Sequence, residues 1–143
     1  MNIPNAEQFW QFSEQHYARP GVAEACLQLQ DDYHANVNLL LLLLMLEERG
    51  LSLEPTHFLP ILRQRAGLFK QWRQLRRQLK DKLSTDDYLA LLRHELELES
   101  WQQQELLQVL NQSPPNTDGG GLIAYLTLLQ VPDAPLWQLR LAT

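Results

Sequence analysis

The chain has 143 residues, a formal net charge of −5, 45% hydrophobic residues and 20% charged residues. This length and this balance are those of one globular domain, and they exclude a chain that is disordered along most of its length. Leucine occurs 32 times, whereas Val, Ile and Thr together occur only 12 times. So few β-branched residues exclude a sheet protein, and we therefore expect an all-α fold.

The N-terminal part of the chain predicts three short helices. Asn5 is a suitable N-cap for a first helix that ends at Pro20, and Pro20 in turn suits the first turn of a second helix. Asn36 can cap a third helix that runs to Arg49. The middle of this third helix is apolar on every side, so it must be surrounded by other helices.

The longest apolar run covers the eight residues from Leu39 to Leu46. A bilayer span needs about 20 apolar residues, so this run predicts the most buried helix of a core and no membrane partner. Asn38 lies beside the run, and we expect it to be partly buried with hydrogen-bond partners near the 31–36 loop. The single cysteine, Cys26, cannot form an intramolecular disulfide, and no secretory signal is evident. These features favour a cytoplasmic protein.

Residues 61–113 contain no proline and a single glycine, which predicts two long helices joined by a tight turn. Ser84 supplies the N-cap of the second helix, with Asp87 in a capping-box position. If the chain reverses near Ser84, the apolar positions of the two helices coincide and Arg73 lies opposite Glu95. The expected result is a long antiparallel hairpin packed on the three shorter N-terminal helices.

The C-terminal region begins with a stretch rich in Pro, Asn and Gly. We assign residues 1–112 to a helical domain, 113–121 to a flexible linker and 122–143 to a C-terminal tail. The tail is expected to form a helix over 122–129, to follow an extended path through 131–135, and to dock on the helical domain. A flexible linker would equally permit docking on a second copy, so the oligomeric state stays open.

Charge is distributed unevenly. The segment from residue 63 to residue 82 carries eight of the 12 basic residues and one acidic residue, which gives +7 there and −12 in the rest of the chain. Helical spacing predicts a partner-binding or anion-binding face made of Arg63, Lys70, Arg73, Arg76, Arg77 and Lys80. A nucleic acid could bind this face. The acidic helix that follows and the shortage of stacking aromatics favour an internal or protein-partner role instead.

No set of residues predicts catalysis. Glu54 and His57 form the only Glu-x-x-His motif, which is interrupted by proline and unrepeated, so we expect no metal. Cys26 has no basic residue within a helical turn, which indicates a buried and inert thiol. Glutamates alternate at Glu95, Glu97 and Glu99, which spreads them around the helix and indicates a solvated face. We therefore expect no catalytic residue, no cofactor and no enzyme activity.

Several segments resemble a known family. They are Trp10-Gln11-Phe12, Tyr17-Ala18-Arg19-Pro20-Gly21-Val22, Ala25-Cys26-Leu27, Asn36-Val37-Asn38-Leu39, Trp72-Arg73 and Leu75-Arg76-Arg77. They are similar to those of a small proteobacterial family of helical proteins of unknown function, which carries only a provisional name. The resemblance covers about Phe9 to Leu110, although Gln74 stands where the family usually has proline.

The resemblance implies a cytoplasmic helical protein that is not an enzyme and that has no established binding residues. Combined with the charge pattern, it favours a protein that acts through protein–protein interaction, with regulation as one role. The alternative is a nucleic-acid or ribonucleoprotein binder that uses the basic helix face between Arg63 and Lys82.

Overall fold

The computed structural model describes residues 3–142, and this part of the chain is all-helical. Its seven α-helices are α1 (Ala6–Tyr17), α2 (Val22–Tyr33), α3 (Val37–Glu48), α4 (Leu59–Leu79), α5 (Thr85–Gln112), α6 (Gly121–Leu128) and α7 (Ala134–Ala142), with a 3-10 turn at Pro55–His57. The predicted fold class is confirmed. The outermost residues of the predicted domain and tail, 1, 2 and 143, lie outside the described residues.

Local side-chain caps set the starts of three helices. The Asn5 side chain accepts a hydrogen bond from the Gln8 backbone N–H, and the Gln8 side chain accepts one from the Asn5 N–H, which completes a capping box. Asn36 caps α3 through its side-chain oxygen. Ser84 caps α5 by accepting a hydrogen bond from the Asp87 N–H. All three predicted caps are confirmed.

Three prolines lie at or near helix starts, and two of them, Pro20 and Pro135, lie differently from the prediction. Pro20 precedes α2 instead of lying in its first turn, because the helix begins at Val22. Pro60 and Pro135 lie in the first turns of α4 and α7, where the missing N–H of proline removes no helical hydrogen bond. The extended path predicted through 131–135 is therefore wrong, since residues 132 and 133 form a turn, Asp133 has a φ of 56°, and the helix begins at Ala134.

α3 is the central helix of the fold. All eight residues from Leu39 to Leu46 are buried, as predicted. α1, α2, α5 and α6 pack around it, so each side of the helix meets another helix. Within residues 3–142, no helix combines the length and the hydropathy needed to cross a membrane.

The C-terminal helices pack on the N-terminal ones. α6 contacts α3 and the 3-10 turn, and α7 contacts α2 and α6. The buried Leu122 lies on α6, and the Tyr125 hydroxyl accepts a hydrogen bond from the Asn36 backbone N–H at 2.9 Å. The Nε2 atom of buried His16 lies 2.5 Å from the Leu141 carbonyl oxygen. Because a carbonyl only accepts, Nε2 carries the hydrogen.

The connection between α5 and α6 is tied to the connection between α3 and α4. Ser52 and Asn116 exchange two backbone hydrogen bonds, each 2.8 Å long. The Ser52 hydroxyl also donates to the Asn116 side chain at 2.7 Å and accepts from the Gly119 N–H at 3.0 Å. Two segments far apart in sequence are thereby held together beside α3.

α4 and α5 form the antiparallel hairpin. α5 packs on α1 and α3, and the residues it buries all lie in its C-terminal part, from Gln102 to Leu110. α4 packs on α5 and on the 3-10 turn, and Phe69 is the only buried residue that it contributes. The hairpin therefore has an embedded base and a distal half, residues 70–98, which we call the distal hairpin.

Two ion pairs join the helices of the hairpin, Arg65 with Glu105 at 3.1 Å and Arg76 with Glu95 at 3.0 Å. The predicted partner of Glu95 was Arg73, so the observed pairing is displaced by three residues. Helical side chains lean toward the N-terminus of their own helix. In an antiparallel pair, the arginine side chain therefore points away from the turn and the glutamate side chain points toward it. The two side chains can then meet although their backbone positions are not directly opposite each other.

Candidate functional site

A groove of about 720 Å³ opens between the hairpin and the N-terminal helices. We call it the central groove. α1, α2 and the start of α3 form one side, and α4 and α5 form the other. Its charged lining consists of Glu14, Asp31, Arg73, Arg76, Arg77, Glu95 and Glu99, and its aromatic lining includes Trp10, Tyr17 and Phe69.

The structure divides the predicted basic face into two groups. Arg73, Arg76 and Arg77 line the central groove. The other three members, Arg63, Lys70 and Lys80, are exposed residues of the hairpin outside the groove lining. The three arginines share the groove with four carboxylates, so the lining is of mixed charge rather than a positive surface.

The Arg76 side chain contacts other residues of the hairpin. Its guanidinium donates to Glu95 at 3.1 Å and lies within 3.4 Å of the Tyr88 hydroxyl, and both side chains of the Arg76–Glu95 pair are partly buried. The hydrogen bond to Tyr88 raises the pKa of Arg76, partial burial opposes this effect, and the attraction of Glu95 reinforces it. Arg76 thus positions the hairpin, whereas Arg73 and Arg77 remain in the groove lining without an ion pair among the described residues.

Glu95 and Glu99 both line the groove, whereas Glu97 is exposed. The solvated face predicted for all three is wrong for the first two, because residues four apart share one side of a helix. Burial raises the pKa of Glu99, Glu95 raises it further, and Arg73 and Arg76 oppose the shift. None of the ion pairs and hydrogen bonds within residues 3–142 involves the Glu99 carboxylate.

A chain of amide side chains connects α3 to α5 beside the groove. The Asn36 oxygen is occupied by the N-cap hydrogen bond of α3, so its amide nitrogen donates to the Gln102 oxygen at 3.2 Å. Asn38 donates to the same Gln102 oxygen at 2.9 Å. The Asn38 oxygen then accepts from Gln103 Nε2 at 3.1 Å, and this nitrogen also donates to the Ser13 hydroxyl at 2.9 Å.

The hydrogen bonds between these amide side chains leave one oxygen atom, Gln103 Oε1, without a donor among the described residues. The Ser13 hydroxyl already donates to the Phe9 carbonyl at 2.8 Å, so it can only accept from Gln103. Turning the Gln103 amide over would place its oxygen against two acceptors, so its orientation is fixed. Gln103 is 2% exposed, and its Oε1 atom is buried with no hydrogen-bond partner among the described residues.

The amide chain was missed in the sequence. Asn38 is partly buried as predicted, but its partners Gln102 and Gln103 lie on α5 instead of near the 31–36 loop. One signal could have indicated Gln103. It precedes Leu106 and Leu110 by three and seven residues, so it occupies a position in the apolar stripe of α5.

Cys26 is buried, as predicted. Burial raises the pKa of Cys26 to about 12, so the thiol stays protonated at neutral pH and is a poor nucleophile. Over residues 3–142, no three side chains of His, Cys, Asp or Glu are grouped so that they could hold a metal ion.

A family model described as Protein of unknown function (DUF2390) matches residues 8–106, well over half of the chain. The chain belongs to this family. The expected family resemblance is thereby confirmed. The DUF2390 region contains every residue that lines the central groove, whereas α6 and α7 lie outside it. No curated protein and no solved structure matches the chain.

Proposed function

We propose that this DUF2390 protein is a cytoplasmic, non-enzymatic interaction protein that binds an acidic amphipathic helix of a partner protein along the distal hairpin. One observation carries the proposal, which is the exposure of large leucines beside the central groove. Leu89 is 48% exposed and Leu96 is 51% exposed. Burial of such side chains by a partner is a general source of binding free energy.

The two exposed leucines and the half-buried Leu92 form a stripe on α5. Leu89, Leu92 and Leu96 are separated by three and four residues, so they share one side of the helix. Leu96 also lines the central groove. The leucine stripe therefore runs from the tip of the distal hairpin into the groove, and an elongated partner can contact both.

The charge of α4 indicates the chemistry of the partner. Lys70, Arg73 and Arg77 recur at spacings of three and four residues and share one side of α4. Since Arg73 and Arg77 line the groove, this side flanks the leucine stripe. A partner lying over the stripe places one flank beside three cations, and acidic residues on that flank are complementary to them.

A helix fits the stripe better than an extended segment does. At the base of the hairpin, α1 and α3 pack against α5, whereas within residues 3–142 the elements that pack closely on α4 are α5 and the 3-10 turn. Two helices alone cannot enclose an apolar stripe, and a third helix completes the packing. A helix whose leucines recur every three or four residues matches the spacing on α5.

The test uses a fluorescent amphipathic peptide with leucines at helical spacing and glutamates on its polar side, and a twin peptide with lysines instead. We expect fluorescence anisotropy to show binding of the glutamate peptide and none of the lysine peptide. Changing Leu89→Ser together with Leu96→Ser should lower the affinity at least about tenfold, or about 1.4 kcal/mol.

Leu68→Ser with Leu75→Ser is the matched control, because these leucines are similarly exposed on α4. They lie roughly 140° to 160° around α4 from Arg73, away from the groove. Binding should survive this control change. Failure of the glutamate peptide to bind, or an equal loss in both double variants, contradicts the proposal.

Nucleic-acid binding is the second candidate, and one observation favours it. Arg63, Lys70 and Lys80 are exposed, and the ion pairs within residues 3–142 include none of them. A labelled RNA oligonucleotide that binds with steep salt dependence, and that Arg73→Glu with Arg77→Glu releases, supports this candidate. If RNA binds and the glutamate peptide does not, the nucleic-acid function replaces the protein-partner function.

A further inference from the structure

We infer that the central groove contains a binding site for the protonated amine of an α-amino acid unit, formed by Gln103, Glu99 and Arg73. The unit is either a free amino acid or the first residue of a polypeptide. The site goes beyond helix binding and does not depend on it, because its two acceptors, Gln103 and Glu99, are not part of the leucine stripe, and Arg73 alone is shared with the helix-binding surface.

Gln103 supplies the first acceptor. Its Nε2 atom is committed to Ser13 and Asn38, at 2.9 and 3.1 Å. Its Oε1 atom is buried and receives no hydrogen bond from the described residues, although the residue lines the groove. A buried acceptor without a donor is unfavourable, so a ligand that donates a hydrogen bond there gains more than it would at a solvated oxygen.

Glu99 supplies the second acceptor, one helical turn away on the same side of α5. It lines the groove, and its carboxylate belongs to none of the ion pairs within residues 3–142. An ammonium group has three N–H donors and a positive charge, so one group can satisfy a carboxylate and an amide oxygen together. A hydroxyl or a neutral amide offers fewer donors and no charge.

The opposite wall supports the same assignment. Ser13 and Tyr17 are one turn apart on α1, and Ser13 accepts a hydrogen bond from Gln103. Tyr17 lies close enough to Glu99 for the two groups to interact electrostatically, and it also lines the groove. Ser13 and Tyr17 of α1 thus lie near Gln103 and Glu99 of α5.

Arg73 determines which chemical group the ligand carries next to its amine. Its charge acts on Glu99, and it lines the groove without an ion pair among the described residues. A simple polyamine has no acceptor to offer Arg73 and would leave this arginine without a partner. A ligand with an oxygen next to its amine satisfies Arg73 as well, and the carboxylate or carbonyl of an α-amino acid unit is such an oxygen.

The experiment measures thermal unfolding and calorimetric binding of the full chain with each protein-forming L-amino acid, with its N-acetyl derivative and with its amide. We expect at least one amino acid to raise the unfolding temperature in proportion to its binding, and its N-acetyl derivative to have no effect because acetylation removes the charge. An amide that binds as tightly as the acid identifies a polypeptide N-terminus. An amide that binds at least about tenfold more weakly identifies a free amino acid.

Glu99→Gln and Glu97→Gln form a matched pair, since Glu97 carries the same charge on the same helix but has a side chain that is 77% exposed. Glu99→Gln should lower the affinity at least about tenfold, and Glu97→Gln should leave it unchanged. Arg73→Met provides a second variant and should reduce any preference for the acid over the amide.

Three results overturn the site: no amino acid or amide binds, the N-acetyl derivatives bind equally well, or Glu97→Gln weakens binding as much as Glu99→Gln does. None of these results affects the glutamate-peptide test. Failure of this site is therefore distinguishable from failure of the proposed function.

Discussion

The core around α3 and the distal hairpin are both rich in leucine, but they use it differently. α3 buries eight consecutive residues, whereas α4 buries only Phe69. Around α3, helices on every side remove leucine from water and stabilise the fold. In the distal hairpin, Leu89 and Leu96 stay about half exposed. Leucine therefore supports stability at one end of the molecule and offers a contact surface at the other.

The largest expected difference between the two regions is in the cost of removing a leucine. Leu42→Ala should lower the free energy of unfolding by about 2–5 kcal/mol, because Leu42 is fully buried and its loss leaves a cavity. Leu89→Ala should cost less than about 1 kcal/mol, since water already reaches the side chain. Urea denaturation measures both. Equal costs would show that the leucine stripe is packed.

Replacing each of two helical glycines by alanine should change the free energy of unfolding by a smaller amount, in opposite directions at the two positions. A Cβ atom on Gly121 would lie 3.2 Å from the Leu53 carbonyl oxygen and 3.4 Å from a Leu43 methyl carbon. Gly121→Ala should therefore destabilise the protein by about 1–3 kcal/mol. Gly67 on α4 has no such neighbour within 4 Å, so Gly67→Ala should stabilise by about 0.4–1 kcal/mol. Thermal and urea unfolding measure both effects. If both substitutions stabilised the protein, or if both destabilised it, the comparison would be contradicted.

The smallest expected effect concerns Glu99 and pH. Burial and Glu95 raise its pKa above the ordinary value of 4.5, against the influence of Arg73 and Arg76. Above that ordinary value the unfolded chain loses this proton before the folded chain does, so stability falls as the pH rises toward the folded pKa. Glu99→Gln should flatten this part of the pH profile and leave the rest unchanged. An unaltered profile would mean that Glu99 is well solvated.

Sequence patterns predicted the features that depend on neighbouring residues. The caps at Asn5, Asn36 and Ser84 involve partners three residues away, and α3 was recognisable from its unbroken apolar run. The hairpin followed from the absence of proline between residues 61 and 113. Such local signals are sufficient to define the helices and their order.

The candidate site could be predicted only in part, because it depends on contacts between distant residues. Helical spacing predicted one face for the six cations, but it could not show that only Arg73, Arg76 and Arg77 line the groove or that Arg76 turns to Glu95. Gln103 meets Ser13 across 90 positions of sequence. A polar residue in an apolar stripe signals a buried partner, yet the identity of that partner requires the tertiary structure.

The position of α3 also has a consequence for how the protein is made. Its leucines leave the ribosome long before α6, the last of the helices that pack on them, since Leu122 of α6 follows Leu42 by about 80 residues. At roughly 5–20 residues per second, synthesis of that stretch takes roughly 4–16 seconds. For this time the side of α3 that α6 covers has no partner in the nascent chain. The helix at the centre of the finished fold is therefore an apolar segment that is only partly covered during synthesis, when exposed apolar surface favours aggregation.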